Sequence, residues 1–211
     1  WNILRQKVDS ASVVFALGEV VKVQAMHRVT DIYGPLPYTA FGKMSSGLPY
    51  DSQETVYRTF IKELDHALKT LKAAYEADSG AKPIADFDVV FDSDLEKWIR
   101  FANSLKLRMA IHMSGIEPET AKTWAEEAVR DGVITDVDNE VAIYPVFSGK
   151  DHPLVEITGW SDAVMGASFL NLLENLDHPY MKYLFTKNSV GLAKSPQAVE
   201  GSSCPATTPA N

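Results

Sequence analysis

The sequence predicts a mainly α-helical domain built from antiparallel helix pairs that are joined by long loops. Apolar residues recur at intervals of three and four positions over four long segments, as on one face of an amphipathic helix. Glycine and proline cluster between these segments, where they end helices and form loops. Capping residues and a helix-starting proline stand before three of the segments, which indicates where those helices begin.

The first predicted helix runs over residues 9–33 and ends at Gly34 and Pro35, because glycine suits a left-handed C-terminal residue and proline cannot continue a helix. The second begins after Asp51, the expected N-cap, with Glu54 completing a capping box, and it ends near Ala77. The apolar stripe of the first helix is Val13, Leu17, Val20 and Val21. That of the second is Val56, Phe60, Leu64, Ala67 and Leu71.

Residues 86–90 read as a short linker before a third helix, which starts at an N-cap of Asp92 or Ser93 and runs to about Met113. Its apolar stripe is Leu95, Trp98, Ile99, Ala102, Leu105 and Met109. Pro118 suits the first position of a fourth helix that ends at Arg130, before Gly132. The expected buried side of that helix is Ala121, Trp124, Ala125 and Ala128.

Beyond residue 133 the pattern is less regular, with a strand-like segment at 141–144 and a fifth predicted helix over 161–176. We expect one helical domain over residues 1–194 and a disordered tail over 195–211, which lacks apolar periodicity. Paired helices with small residues at close contacts suit a tetratricopeptide-like array, although the sequence does not show the clean 34-residue pattern of that repeat. A plain helical bundle is the alternative.

The composition bounds the function. The 211 residues are 45% apolar and carry a formal net charge of −8, which argues against nucleic-acid binding because that depends on clustered Lys and Arg. The single Cys204 excludes an internal disulfide framework and a four-thiolate zinc site. No run approaches the ~18 apolar residues of a membrane span. The chain opens on Trp1 without a signal peptide, and we expect it to be a fragment or a mature piece.

Several short motifs suggest chemistry that their surroundings do not support. The KMSS run at 43–46 resembles the signature loop of class I aminoacyl-tRNA synthetases, but the accompanying nucleotide-binding domain is missing. The acidic run at 136–140 lacks the glycine and glutamate of a calcium-binding loop. We expect no histidine to have a carboxylate partner at i, i+4 spacing, and we expect His27, His66 and His112 to be surface or boundary helix residues. We therefore predict no metal site, no cofactor and no catalytic residue.

Aromatic residues in loops are the candidate ligand contacts, because an exposed ring can stack on the apolar face of a sugar. The candidates are Tyr38, Tyr50, Tyr144 and Trp160. By contrast, Trp98 and Trp124 lie on apolar stripes and are expected in the core.

Five segments, in this order, resemble the SusD/RagB family of outer-membrane nutrient-binding lipoproteins of Bacteroidetes. They are VTDIYGPLPY (29–38), YDSQETVY (50–57), ELDHAL (63–68), WIRFANSLKLRMA (98–110) and LDHPYMKYLF (176–185). The fourth is the most specific, and the last is similar to the family's Asp-Pro-Arg-Leu stretch, although His178 separates Asp177 from Pro179 here and the arginine is replaced.

The resemblance implies a tetratricopeptide-like, non-enzymatic lipoprotein on the cell surface. Such a protein captures glycans, or sometimes peptides, for import through a SusC-like TonB-dependent transporter. Family members are about twice as long, and no lipid-bearing cysteine stands near this N-terminus, so membrane attachment would depend on an anchor absent from this chain. Two alternatives stay open, namely a helical-repeat scaffold that binds only protein and a helical carbohydrate-active enzyme.

Overall fold

The computed structural model describes residues 1–42, 47–139, 141, 166–184, 186–187 and 193–194. The chain divides into two compact units, Trp1–Tyr144 and Pro145–Asn211. Within the described residues, no helix is both long enough and apolar enough to cross a membrane.

The first unit contains the long helices. They are α1 Asn2–Lys7, α2 Val13–Tyr33, α3 Gln53–Ala77, α4 Leu95–Met113 and α5 Pro118–Arg130, followed by a 3-10 turn Val137–Asn139. In the second unit the structure describes α6 Ala167–Asn175, α7 Tyr180–Leu184 and two short strands, β1 Thr186–Lys187 and β2 Ala193–Lys194. The strands pair antiparallel, with Thr186 opposite Lys194.

Contacts between α2, α3, α4 and α5 show that successive helices run antiparallel, because residue numbers rise along one helix as they fall along the next. For α2 and α3 the pairs are Glu19–His66 and Lys22–Glu63; for α3 and α4 they are Asp65–Lys106 and Tyr75–Glu96. For α4 and α5 they are Asn103–Asp131 and Lys106–Glu127. The predicted mainly α fold of antiparallel, tetratricopeptide-like helix pairs is confirmed.

The core lies along α3, which packs between α2 and α4. All five predicted stripe residues of α3 are completely buried, and all six of α4 are buried. Each large apolar side chain contributes roughly 1.5–3 kcal/mol through this burial, before entropy is counted. On α2 the stripe is partly wrong, since Val20 and Val23 are fully buried whereas Val21 is 53% exposed. The α-helical turn of 3.6 residues rotates Val21 away from the face that Val20 and Val23 share.

The N-cap of α3 is Ser52, not the predicted Asp51. The Ser52 side chain accepts a hydrogen bond from the backbone N–H of Thr55. The carboxylate of Asp51 instead accepts hydrogen bonds from the backbone N–H groups of Tyr38 and Thr39, across the preceding loop. A contact with residues twelve or more positions away therefore decides which of two adjacent capping residues starts the helix.

The N-cap of α4 is Asp94, which accepts a hydrogen bond from the backbone N–H of Lys97. The two predicted caps, Asp92 and Ser93, both have positive φ angles (52° and 59°). An N-cap residue normally has extended backbone, so neither fits that position. Ser93 is fully buried and its Oγ accepts a hydrogen bond from the N–H of Ile84.

Helix α5 has the predicted bounds, with Ala121 and Ala128 buried, Trp124 partly buried and Gly132 following at φ +95°. The fifth predicted helix corresponds to α6. Residues 161–165, the greater part of the strand-like segment at 141–144 and the predicted tail at 195–211 lie outside the described residues. The β1–β2 pair was not predicted, since two-residue strands are too short to show a period.

The loop before α4 is organised by the carboxylate of Asp88. Its Oδ2 accepts hydrogen bonds from Trp98 Nε1 at 2.6 Å and Ser93 N at 2.8 Å, and its Oδ1 accepts from Val90 N at 2.9 Å. Burial alone would raise the pKa of Asp88, but these hydrogen bonds outweigh it and lower the pKa below the ordinary value. The linker predicted at 86–90 is therefore a turn that fixes the buried ring of Trp98.

Asp88→Asn should lower the free energy of unfolding at pH 7 by about 1–3 kcal/mol, because it removes a charged acceptor from four N–H donors. A lowered pKa means that this contribution is complete above the ordinary Asp pKa of about 3.9 and is lost as the pH falls through the folded value. Urea unfolding of the wild type and of Asp88→Asn should show a smaller difference in the free energy of unfolding at about pH 3 than at pH 7. Asp86→Asn, at an exposed position in the same turn, is the control, and its free energy of unfolding should be within about 0.5 kcal/mol of the wild-type value. An equal difference at both pH values would refute the role of the Asp88 charge.

Lys106 ties α4 to both neighbouring helices. The residue is 5% exposed, and its Nζ donates to Asp65 Oδ1 at 2.8 Å and to Glu127 Oε2 at 2.9 Å. Burial alone would lower the pKa of Lys106, but the two hydrogen bonds outweigh it and raise the pKa.

Lys106→Met should destabilise the fold by about 1–3 kcal/mol, because two charge-assisted hydrogen bonds are lost while the apolar stem is largely retained. Lys72→Met removes a more exposed ion pair with Asp131 and is the matched control, expected within about 1 kcal/mol of wild type. Chemical denaturation compares the three proteins. If both variants lose the same free energy of unfolding, the burial of Lys106 does not make its ion pairs more stabilising than the exposed pair of Lys72.

Candidate functional site

The loop between α2 and α3 carries two of the predicted ligand contacts. Gly34, at φ +75°, ends α2, and its N–H donates to Thr30 O at 2.7 Å. The loop then closes on itself, because Asp51 N donates to Leu36 O at 2.9 Å in an isolated antiparallel bridge. The two ends of the loop are thus held together directly before α3 begins.

Tyr38 anchors this loop to the helices. It is 9% exposed, its ring packs edge-on against Phe60 at 4.9 Å between centroids, and its hydroxyl donates to Glu63 Oε2 at 2.5 Å. Burial, together with the charge of Glu63, raises the pKa of Tyr38 beyond its ordinary range. The expectation that Tyr38 presents an exposed ring is therefore wrong, because its ring packs on Phe60 and its hydroxyl binds the partly buried Glu63.

Tyr50 does present its ring to solvent, with 71% of the residue exposed. The backbone beside it is fixed, because the Asp51 carboxylate accepts hydrogen bonds from Thr39 N at 2.6 Å, Tyr38 N at 3.0 Å and Thr39 Oγ1 at 2.9 Å. The backbone hydrogen bond from Thr39 is the main cause of the lowered pKa of Asp51. The other two candidates, Tyr144 and Trp160, lie outside the described residues.

A polar groove of about 530 Å³ lies where the end of α2, the start of α3 and the end of α4 meet. Its polar lining consists of Asp31, Gln53, Glu54, Tyr57, His112 and Glu117, and its apolar lining of Met113 and Ile116. Arg58 holds both glutamates, with Nε 3.0 Å from Glu54 Oε1 and a terminal nitrogen 2.5 Å from Glu117 Oε1. The groove therefore offers hydroxyl, amide, imidazole and carboxylate groups side by side.

His27, Asp31, His112 and Tyr57 form a cluster at this groove, and all of them except the buried His27 line it. Tyr57 Oη donates to Asp31 Oδ1 at 2.5 Å and lies 3.2 Å from His112 Nδ1. Asp31 Oδ2 is 3.2 Å from both His112 Nδ1 and His27 Nε2. The two imidazole rings stack with their centroids 5.3 Å apart. Three helices thus bring four polar groups together.

The expectation that His27 is a surface or boundary residue is wrong, because it is only 3% exposed. Burial lowers the pKa of His27, and His112 and Arg108 lower it further, while Asp31 opposes them. The buried Nε2 atom has no hydrogen-bond partner. The expectation that no histidine has a carboxylate partner four residues away is wrong, because His27 and Asp31 have this spacing on one helix face and form such a pair. This spacing is the sequence signal that indicates the cluster.

A second groove of about 530 Å³, the apolar groove, is lined mainly by apolar residues. It includes Trp1, Leu4, Val14, Val21, Phe87 and Val89. Phe87 is 84% exposed and Val89 51% exposed, so apolar side chains here face solvent. Lys22 and Trp1 both line this groove, and Lys22 Nζ lies over the Trp1 ring, 3.8 Å from its centroid.

Solved structures of similar fold extend over almost the whole chain. A SusD-like protein from Bacteroides thetaiotaomicron is 28% identical with a TM-score of 0.81, covering 92% of this chain and 41% of its own. A SusD homolog from Bacteroides vulgatus is 28% identical with a TM-score of 0.78, covering 92% and 39%. A chitin-binding SusD homolog from Flavobacterium johnsoniae is 31% identical with a TM-score of 0.81, covering 90% and 39%.

The chain therefore spans about two fifths of the length of these solved relatives. No functionally curated protein matches it. The sequence profile of the SusD-like family, described as SusD and RagB outer membrane lipoproteins, matches residues 1–201. That match covers nearly the entire sequence, and the helical fold agrees with it. The chain belongs to the SusD-like family of outer membrane lipoproteins.

Proposed function

We propose that this chain is the helical part of a non-enzymatic surface protein that captures oligosaccharides and passes them to a SusC-like TonB-dependent transporter. The observation that carries this proposal is its membership of the SusD-like family across residues 1–201. The 31% identity to a solved homolog described as chitin-binding supports an oligosaccharide as the ligand class. A peptide is the other nutrient class that this proposal admits.

The fold supplies a physical means of capture. Closely packed helices form a frame, and loops held on a rigid frame carry binding residues in many proteins. Tyr50 is the described candidate that fits this role, because its ring is exposed while the neighbouring Asp51 fixes the backbone. Stacking on a sugar ring would supply apolar contact, and the hydroxyl and amide groups of the polar groove are suited to hydrogen bonding with sugar hydroxyls. Tyr144 and Trp160 stay predictions.

The arrangement of carboxylates supports binding without catalysis. Glycoside hydrolysis normally needs two carboxyl groups that flank the scissile bond. In the polar groove, Glu54 and Glu117 both form ion pairs with Arg58, and Asp31 accepts a hydrogen bond from Tyr57. These carboxylates are thus engaged with protein groups. We propose that the protein is attached to the outer surface of the outer membrane through a lipid anchor, as the description of its family as outer membrane lipoproteins suggests.

The apolar groove favours one alternative, a helical scaffold that binds only a protein partner. Exposed apolar surface is a common feature of protein interaction sites. Val21, Phe87 and Val89 are each more than half exposed beside Trp1 and Leu4. In the leading proposal the same surface would serve a protein partner such as the transporter, whereas in the alternative it would be the sole binding site.

Tyr50→Ala and Phe87→Ala separate the two proposals, because each removes one exposed ring at a different surface. Affinity electrophoresis in gels containing individual polysaccharides should show retardation of the wild-type chain by at least one glycan. Tyr50→Ala should weaken that binding about threefold to tenfold, which corresponds to roughly 0.7–1.4 kcal/mol and lies within the range for one aromatic contact. Phe87→Ala should leave glycan binding within about twofold of wild type.

Circular dichroism confirms that each variant is folded before binding is compared. If the folded wild-type chain migrates unretarded through every glycan tested, the scaffold alternative is favoured. If Phe87→Ala and Tyr50→Ala weaken glycan binding equally, the assignment of capture to the α2–α3 loop is wrong. Release of sugars on incubation with the retarding glycan would overturn the non-enzymatic assignment.

A further inference from the structure

We propose that His27, Asp31 and His112 form a binding site for a divalent transition-metal ion, with Zn²⁺ as the best fit. This inference is independent of glycan capture. The three ligand atoms would be His27 Nε2, Asp31 Oδ2 and His112 Nδ1, which all lie within 4.8 Å of one another. Two imidazoles and one carboxylate are a donor set that zinc uses in proteins.

Two of the three distances between ligand atoms match a tetrahedral ion, and the third, between His27 Nε2 and His112 Nδ1, is within 4.8 Å. Zn–N and Zn–O bonds of about 2.0–2.1 Å at tetrahedral angles place neighbouring ligand atoms about 3.3–3.4 Å apart. Asp31 Oδ2 lies 3.2 Å from His27 Nε2 and 3.2 Å from His112 Nδ1. His112 is 45% exposed at its side chain, so its ring has room to rotate toward His27 and complete the set.

The unsatisfied nitrogen of His27 is the second observation that points to a ligand. Polar atoms buried in proteins are nearly always hydrogen-bonded, and each exception calls for an explanation. Only 3% of His27 is exposed to solvent. Its Nε2 has no hydrogen-bond partner, although it lies 3.2 Å from the Asp31 carboxylate. A metal ion between these atoms would satisfy the nitrogen through its lone pair.

Tyr57 supports the same geometry from α3. Its hydroxyl donates to Asp31 Oδ1, the oxygen that would not bind the metal, and so orients Oδ2 toward both histidines. Groups that hydrogen-bond to metal ligands commonly fix them in this way. His27 and Asp31 lie on α2, which holds their spacing, while His112 comes from the last turn of α4. The site would therefore link the ends of two helices.

The open side of the cluster faces the polar groove, because Asp31 and His112 line that groove whereas His27 lies beneath them. Three protein ligands leave the fourth tetrahedral position free for water or for an oxygen of a bound molecule. Glu54 and Glu117 add negative charge to the groove, partly offset by Arg58. Arg108 is a further positive charge that acts on His27.

Isothermal titration of ZnCl₂ into the chelator-treated, tag-free chain tests the proposal. We expect one equivalent to bind, with at least tenfold weaker affinity in His112→Gln. The matched control is His66→Gln, because the side chain of His66 is 43% exposed and its Nδ1 also faces a carboxylate, Glu19 Oε2 at 2.6 Å. The Zn²⁺ affinity of that control should be within about twofold of the wild-type affinity.

Asp31→Asn is the second variant, expected to weaken Zn²⁺ binding at least tenfold while retaining an acceptor for Tyr57. Addition of Co²⁺ to the wild type should give the visible absorption of a tetrahedral ion with nitrogen and oxygen ligands, and neither variant should show it. Absence of a stoichiometric Zn²⁺ equivalent in the wild type would overturn the proposal. Unchanged affinity in folded His112→Gln or Asp31→Asn, or equal losses in His66→Gln, would overturn it as well.

Discussion

The fold depends on the burial of α3 on two sides. Val56, Phe60, Leu64, Ala67 and Leu71 are inaccessible to solvent because α2 covers one side of α3 and α4 covers the other. Most helical stability in proteins comes from such tertiary packing rather than from intrinsic propensity. The same packing sets the positions of the polar side chains at the helix ends, and it holds Tyr57 of α3 between Asp31 of α2 and His112 of α4.

Helix bounds and core stripes were largely predictable from the sequence, because a 3.6-residue period is a local property of the chain. The bounds of α5 and all stripe residues of α3 and α4 were correct. Errors arose where a distant partner decides between neighbours. Asp51 and Ser52 are both good capping residues, and only the hydrogen bonds that Tyr38 and Thr39 donate to Asp51 assign the cap to Ser52.

The candidate sites were less predictable, because each depends on how separate helices meet. Tyr38 has the same loop setting in the sequence as Tyr50, yet Glu63 and Phe60 hold it in the core. The polar cluster unites α2, α3 and α4, so His112 has no sequence signal that relates it to Asp31. Within this cluster, only the four-residue spacing of His27 and Asp31 on one helix could be recognised from the sequence.

Native-state hydrogen exchange of α3 amides tests the central claim most directly. If two-sided burial of α3 holds the first unit together, amides between Phe60 and Leu71 should exchange only through global unfolding, with the full denaturant dependence of that transition. Exchange of these amides through a local opening, at a much lower free energy than the amides of α2 and α4, would contradict the account.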